Sequence, residues 1–183
     1  MPVSNPVQIP NLCKFLSETR PLINSVLDVG VGLGINGVMV RAHLDGTTKW
    51  KFVKEEWLTR LVGVEIFNKY ENPIWNIYDK ITIGNIKDLL FNCEIDSVDC
   101  VLFTDVIEHL SKEDGLFVLR ELKKISRMVY VTTPAEYWPQ QSVHGNECEK
   151  HVCLWTQKEF EELGFEIDII ANQIIAVWKN EQH

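Results

Sequence analysis

Short apolar runs alternate along the chain with segments whose apolar positions recur every three or four residues. That alternation predicts βα units built around a mainly parallel sheet. The first strand is Ser25-Val26-Leu27-Asp28-Val29, ended by glycines. Ile35, Val38, Met39 and Ala42 follow at i, i+3, i+4 and i+7, the spacing of one buried helix face. A second strand over Leu61–Ile66 closes on an acid, Glu65, and Asn72-Pro73 can open a short helix. Ile81–Ile83 is a third strand, stopped at Gly84-Asn85. Val98–Thr104 is nearly all apolar, as a strand covered on both faces should be. Ser111 with Asp114 resembles a capping box for a helix running to about Lys124. Met128–Thr132 is a fifth strand. Thr156 with Glu159 is a full capping box, and Gly164 ends that helix. Finally, Phe165–Ala171 and Ile174–Lys179 flank Asn172-Gln173 and predict an antiparallel hairpin at the sheet edge.

Three segments stand outside this rhythm. Residues 1–11 hold three prolines and few apolar anchors, and read as a loose arm. Residues 45–59, rich in Lys, Trp and Glu, read as a surface insertion. Residues 134–155 are the least regular, and a long loop after a strand's carboxyl end is a natural lid or acceptor pocket. All of this fits one domain over residues 1–183.

Composition narrows the picture. Net charge is −8, and no Lys/Arg run exceeds Lys123-Lys124, so general nucleic-acid binding lacks its basic footprint. Five scattered cysteines, an odd number, argue for free thiols in a reducing compartment. The N-terminus shows no signal peptide, and no apolar run approaches the ~20 residues needed to span a bilayer. The expectation is a cytoplasmic protein with no membrane insertion.

The chemistry concentrates at strand ends. Asp28-Val29-Gly30-Val31-Gly32-Leu33-Gly34 joins a strand to a helix, where glycines let the backbone approach a ligand closely. A dinucleotide fingerprint would require glycine at position 35, which is Ile35. A carboxylate at Asp28 is awkward beside a pyrophosphate but favourable beside a sulfonium or an α-amino group.

On these residues Val26–Gly34 resembles the first motif of class I S-adenosylmethionine-dependent methyltransferases, with the likeness running from about residue 22 to residue 179. The resemblance implies an α/β, Rossmann-like seven-stranded sheet with helices on both faces and S-adenosylmethionine as cofactor. It implies that Asp28 and Gly30 lie near the methionine moiety, with Gly32 and Gly34 lining the loop. Glu65 would grip both ribose hydroxyls through its two acceptor oxygens. It lies 35 positions after Gly30, where about 20 is commoner, and the insertion accounts for the excess. Asn85 and Ile86 would contact the adenine, although a plain turn asparagine is a competing reading.

Asp105-Val106-Ile107-Glu108-His109-Leu110 looks like the Asp-Val-x-Glu-His-Leu signature of ubiquinone-biosynthesis-type methyltransferases. That likeness implies donor support from Asp105 and Val106 and places Glu108 and His109 near the acceptor. His109 could serve as a base, or both residues could be structural. Asp105, Glu108 and His109 also stand at i, i+3 and i+4 and could share a helix face. With a further histidine they would resemble the divalent-metal site of small-RNA 2′-O-methyltransferases. That family carries glutamate where Asp105 stands, so no metal is expected. His144, Cys148, His151 and Cys153 lack paired zinc-ligand spacing, and His151 is read as facing the acceptor. The expected activity is methyl transfer to an O or N nucleophile of a small molecule, glycan or protein. The alternative is a non-catalytic donor-binding module acting through a partner. A homodimer is possible.

Overall fold

The computed structural model describes residues 6–47 and 50–180. Seven strands form one sheet in the order β3-β2-β1-β4-β5-β7-β6: Ser25–Val29 (β1), Arg60–Glu65 (β2), Lys80–Ile83 (β3), Val98–Thr104 (β4), Ser126–Pro134 (β5), Glu166–Ile170 (β6) and Gln173–Lys179 (β7). The first five run parallel, and β7 enters antiparallel between β5 and the edge strand β6. The β6–β7 turn is Ala171-Asn172, both at positive φ (47° and 64°), one residue earlier than the apolar pattern placed it. Paired positive φ values match the right-handed strand twist in a tight hairpin.

The sheet is covered on both faces because its central strands alternate strictly. In β4 and β5, Val101, Phe103, Val129 and Val131 face one core, with Lys112–Ile125 (α4) and Gln157–Glu162 (α5) packed on it. Cys100, Leu102, Met128 and Tyr130 face the other, under Ile9–Thr19 (α1) and Ile35–Val40 (α2). A short helix, Ile86–Phe91 (α3), joins β3 to β4 on the first face. The reversal of strand order between β1 and β4 opens a crevice at their carboxyl ends.

Several expectations are corrected. The loose-arm reading fails from Pro6 onward: Pro6–Gln8 is a 3-10 turn leading into α1, and Gln8 is buried. Residues 1–5 lie outside the described residues. The buried face of α2 is Asn36, Gly37 and Val40, while Ala42 is exposed. Polar partners, not the apolar period, set that rotation: Asn36 is hydrogen-bonded inward, and Gly37 leaves room for the Tyr78 ring. Asp114 does not complete a capping box. Its backbone N–H donates to Ser111, but its carboxylate pairs with Lys87.

The 45–59 stretch is exposed along Trp50, Phe52 and Val53, yet buried at both ends. After α2 the helix widens into a π-helical turn, Arg41–Gly46, which aims Arg41 at the insertion. Its guanidinium pairs with Asp45 (3.0 Å) and Asp79 (3.1 Å) and stacks over Trp57. Asp45 in turn accepts from the backbone N–H groups of Leu58 and Thr59. No helix among the described residues is long and apolar enough to cross a membrane.

Candidate active site

A cavity of about 690 Å³ occupies the crevice at the carboxyl ends of β1, β2, β4 and β5. That is within the range of small-molecule sites. Gly30, Gly32, Glu65, Asn85, Ile86 and Val106 line it. Asp105, Glu108, His109 and His151 line it as well.

The glycine loop is held tightly. Gly30 has φ +81°, and a Cβ there would come within 2.5 Å of the Val106 side chain, so only glycine fits. Glu65 ties the loop to β2: one carboxylate oxygen accepts from Gly32 N–H and the other from Phe67 N–H, each at 2.9 Å. Burial pushes the Glu65 carboxyl above its ordinary value, and these N–H groups pull it partly back. Each oxygen keeps a second lone pair for a ligand. Asn85 caps α3 by accepting from Lys87 N–H (2.9 Å), so the turn role is realised and the residue still borders the cavity.

Asp28 and Gly34 are not among the cavity-lining residues. Asp28 is fully buried beneath the loop, accepting from Tyr78 Oη (2.5 Å) and Asn36 Nδ2 (3.1 Å). It therefore shapes the loop instead of bordering the ligand space. Gly34, at φ +85°, is the N-cap of α2.

Burial raises the Asp28 carboxyl to about 6 from an ordinary 3.8, against the pull of Tyr78 and Asn36. A carboxyl raised on folding contributes stability in full below about 3.8 and loses it as pH climbs through about 6. Asp28→Asn should therefore gain on wild type by about 2 kcal/mol between pH 4.5 and 7.5. Urea unfolding at the two pH values checks this, and parallel pH curves would refute it.

After β4 the chain does not enter a helix. Asp105 sits at φ +51°, left-handed for a non-glycine residue, and Ile107–His109 is a single 3-10 turn. The expected i, i+3, i+4 helix face is thus absent, yet the turn still brings Glu108 and His109 together. The 134–155 loop supplies the further histidine. Ligand atoms of Glu108, His109 and His151 all lie within 4.8 Å of one another. Val152 N–H and Cys153 N–H both donate to the Glu108 carbonyl, fastening the loop's end to this turn. Trp155, expected to belong to the loop, is wholly buried beneath the turn and donates to Ile107 O.

The electrostatics of the cluster suit a cation. His109 Nδ1 faces Lys150 O (3.1 Å), and His151 Nδ1 faces Trp138 O (2.6 Å). Carbonyls only accept, so each neutral ring carries its proton on Nδ1 and leaves Nε2 as a ligand atom. Burial, and then the neighbouring His109, hold His151 below the usual imidazole range. Burial, and then Asp105, push the Glu108 carboxyl well above its ordinary value, while Thr133 donates to it. A buried acid crowded by another acid is relieved by a divalent ion. Two imidazoles and a carboxylate fit a first-row transition ion better than Mg²⁺. Glu108, His109 and His151 thus form a candidate cation site where the sequence reading expected none. The cysteines first weighed beside His144 and His151 do not join the cluster.

Several residues of the site carry no sequence signal. Tyr70 lines the cavity and donates to Glu149 (2.9 Å), joining the segment after β2 to the 134–155 loop. Trp75 Nε1 donates to Gly32 O (2.8 Å) and steadies the glycine loop. Gln8 reaches Asp105 with its Nε2 at 2.8 and 2.9 Å from the two carboxylate oxygens.

No protein-family model matches the sequence, and no curated protein does. Solved structures match by fold. An O-methyltransferase family protein from Burkholderia thailandensis aligns with a TM-score of 0.66 at 11% identity, covering 94% of this chain and 57% of its own. The N-terminal domain of EvdMO1, crystallised with S-adenosylhomocysteine and D-fucose, gives 0.67 at 13% identity, covering 98% and 85%. The small RNA methyltransferase HEN1 gives 0.61 at 16%, covering 96% of this chain and 25% of its own. The chain thus spans little more than half of the first protein and a quarter of the third. The likeness establishes the class I methyltransferase fold.

Proposed function

We propose that this chain transfers the methyl group of S-adenosylmethionine to a hydroxyl oxygen, with a divalent cation held by Glu108, His109 and His151. The observation that carries this reading is the sharing of one cavity by the Glu65-tied glycine loop and the Glu108–His109–His151 cluster. Glu65 supplies acceptor lone pairs for the ribose hydroxyls, the glycine loop lets the donor lie against backbone, and Asn85 and Ile86 border the place for adenine. Bound S-adenosylmethionine supplies a methyl group already activated by its sulfonium. Bound beside it, the cation would act as a Lewis acid that eases loss of the acceptor's hydroxyl proton to solvent, as the sulfonium becomes the neutral thioether of S-adenosylhomocysteine.

The protein's own work is then alignment and exclusion of water. Gly30 and Val106 fix the donor side, while the two imidazoles and Glu108 fix the acceptor side. His109 and His151 serve as ligands through Nε2 in this arrangement, not as free bases. Calorimetry with S-adenosylhomocysteine, with and without EDTA, tests the reading. Donor-product binding should survive chelation, whereas methyl transfer should stop and return with Mn²⁺. Absence of S-adenosylhomocysteine binding would overturn the donor assignment, and chelator-resistant turnover would overturn the cation.

A further inference from the structure

The cavity holds three buried side-chain groups that the reading above does not use. Gln8 Oε1, Tyr130 Oη and Gln173 Oε1 have no hydrogen-bond partner among the described residues, although the residues are only 4%, 1% and 7% exposed. All three line the cavity. An unpaired buried polar atom costs about 1–3 kcal/mol, so three beside one cavity mark a place shaped for a ligand's own polar groups.

The topology puts them on one side. Tyr130, Thr132 and Pro134 alternate along the same face of β5, and Gln173 of β7 stands directly opposite Pro134 in the antiparallel register. Thr132 donates to Asp105, and Gln8 donates to the same carboxylate. Tyr130 stacks on Phe15 of α1 at 4.8 Å. The patch therefore runs along the α1-covered face to Asp105, whose charge acts on Glu108 of the proposed cation site.

Its chemistry selects a ligand class. Asp105 only accepts, so it fixes the Gln8 amide with Nε2 turned toward it and Oε1 left needing a donor. Gln173 Oε1 likewise needs a donor, and Tyr130 Oη can donate or accept. The lining includes Glu65, Asp105, Glu108, Asp114, Glu136 and Glu149 but, among the described residues, no lysine or arginine. A phosphate or carboxylate placed against this patch would meet carbonyl oxygens and carboxylates, with no cationic side chain of the patch to balance its charge. Neighbouring hydroxyls on a neutral ring supply donors and acceptors together, while Ile9 and Leu12 offer apolar surface to its C–H groups.

We propose that Gln8, Tyr130 and Gln173 form the acceptor subsite and that it takes an uncharged, hydroxyl-bearing ring of the sugar type. This rests on the methyl-transfer reading and adds to it the class of acceptor. The test uses full-length protein with Mn²⁺ and S-adenosylhomocysteine. The titrants are methyl glycosides of common hexoses and 6-deoxyhexoses, glucose 1-phosphate, and a short single-stranded RNA. At least one glycoside should bind in the millimolar range, with glucose 1-phosphate and RNA at least tenfold weaker. In Tyr130→Phe/Gln173→Leu, glycoside affinity should fall about tenfold or more, since two hydrogen bonds are lost at roughly fivefold each. S-adenosylhomocysteine affinity should stay within twofold of wild type. The melting temperature should hold or rise, because the substitutions remove only unpaired polar atoms.

Glycoside affinity unchanged in the variant, no glycoside binding to wild type, or tighter binding of the phosphate or RNA would overturn the subsite alone, provided S-adenosylhomocysteine binds. Failure of S-adenosylhomocysteine to bind wild type would overturn the donor reading and the subsite with it.

Discussion

Glu108→Gln should lower methyl transfer by at least a thousandfold while leaving the protein folded and S-adenosylhomocysteine binding within twofold of wild type. Glu108 is 3% exposed, and its carboxyl is pushed well above its ordinary value by burial and then by Asp105. Burial favours its neutral form, and a glutamine of the same shape replaces that form at little cost. The Thr133 hydroxyl can still donate to the amide oxygen. With a cation the carboxylate is the only anion among the three clustered groups, and the two imidazoles cannot replace its charge. Mn²⁺ titration should show affinity reduced more than tenfold, and the rate loss corresponds to about 4 kcal/mol of transition-state stabilisation. His151→Ala should behave alike. Wild-type Mn²⁺ affinity in either variant, or turnover within tenfold, would sink the cation assignment.

The second large effect belongs to Glu65. Glu65→Gln should weaken S-adenosylhomocysteine binding by about a hundredfold, since hydrogen bonds to a charged group are worth roughly 1.5–3 kcal/mol. Two effects add. A glutamine turns an NH₂ group toward either Gly32 N–H or Phe67 N–H, donor against donor, which loosens the glycine loop. It also keeps one acceptor oxygen where two ribose hydroxyls need partners. Mn²⁺ binding should be unaffected, so the two variants dissect the cavity into donor and cation halves. A calorimetric change below threefold would show that Glu65 is structural only.

How much of this was legible in the sequence depended on what decides burial. β4 appears as predicted, Val98–Thr104, because a parallel strand covered on both faces is a continuous apolar run whose ends are sharp. The glycine loop and Glu65 were equally readable, since strand ends fall where the apolar runs stop. Where polar pairing decides burial, the pattern misled. The inner face of α2 follows Asn36, which donates to both Asp28 and Thr104, and no hydrophobic period announces that.

Long-range proximity was the other gap. Asp105–His109 offered two of the three proposed cation ligands, but His151 arrives from a loop with no periodicity. Only the fold brings its ring to 4.9 Å from His109. Gln8 was hidden for a related reason: three prolines made its segment read as unstructured, whereas proline is well accommodated in the first turn of a helix.

The antiparallel strand β7 sits between β5 and β6, although it is the last of the seven described strands in sequence. During synthesis, β1 to β5 leave the ribosome with the outer side of β5 unpaired, and that side stays open until Gln173–Lys179 has emerged. Synthesis runs from the N-terminus, so the residues of the proposed donor side emerge before the opposite wall, which includes Gln173. The exposed edge of β5 is then a transient point of contact for other unfinished chains, and the closing hairpin removes it.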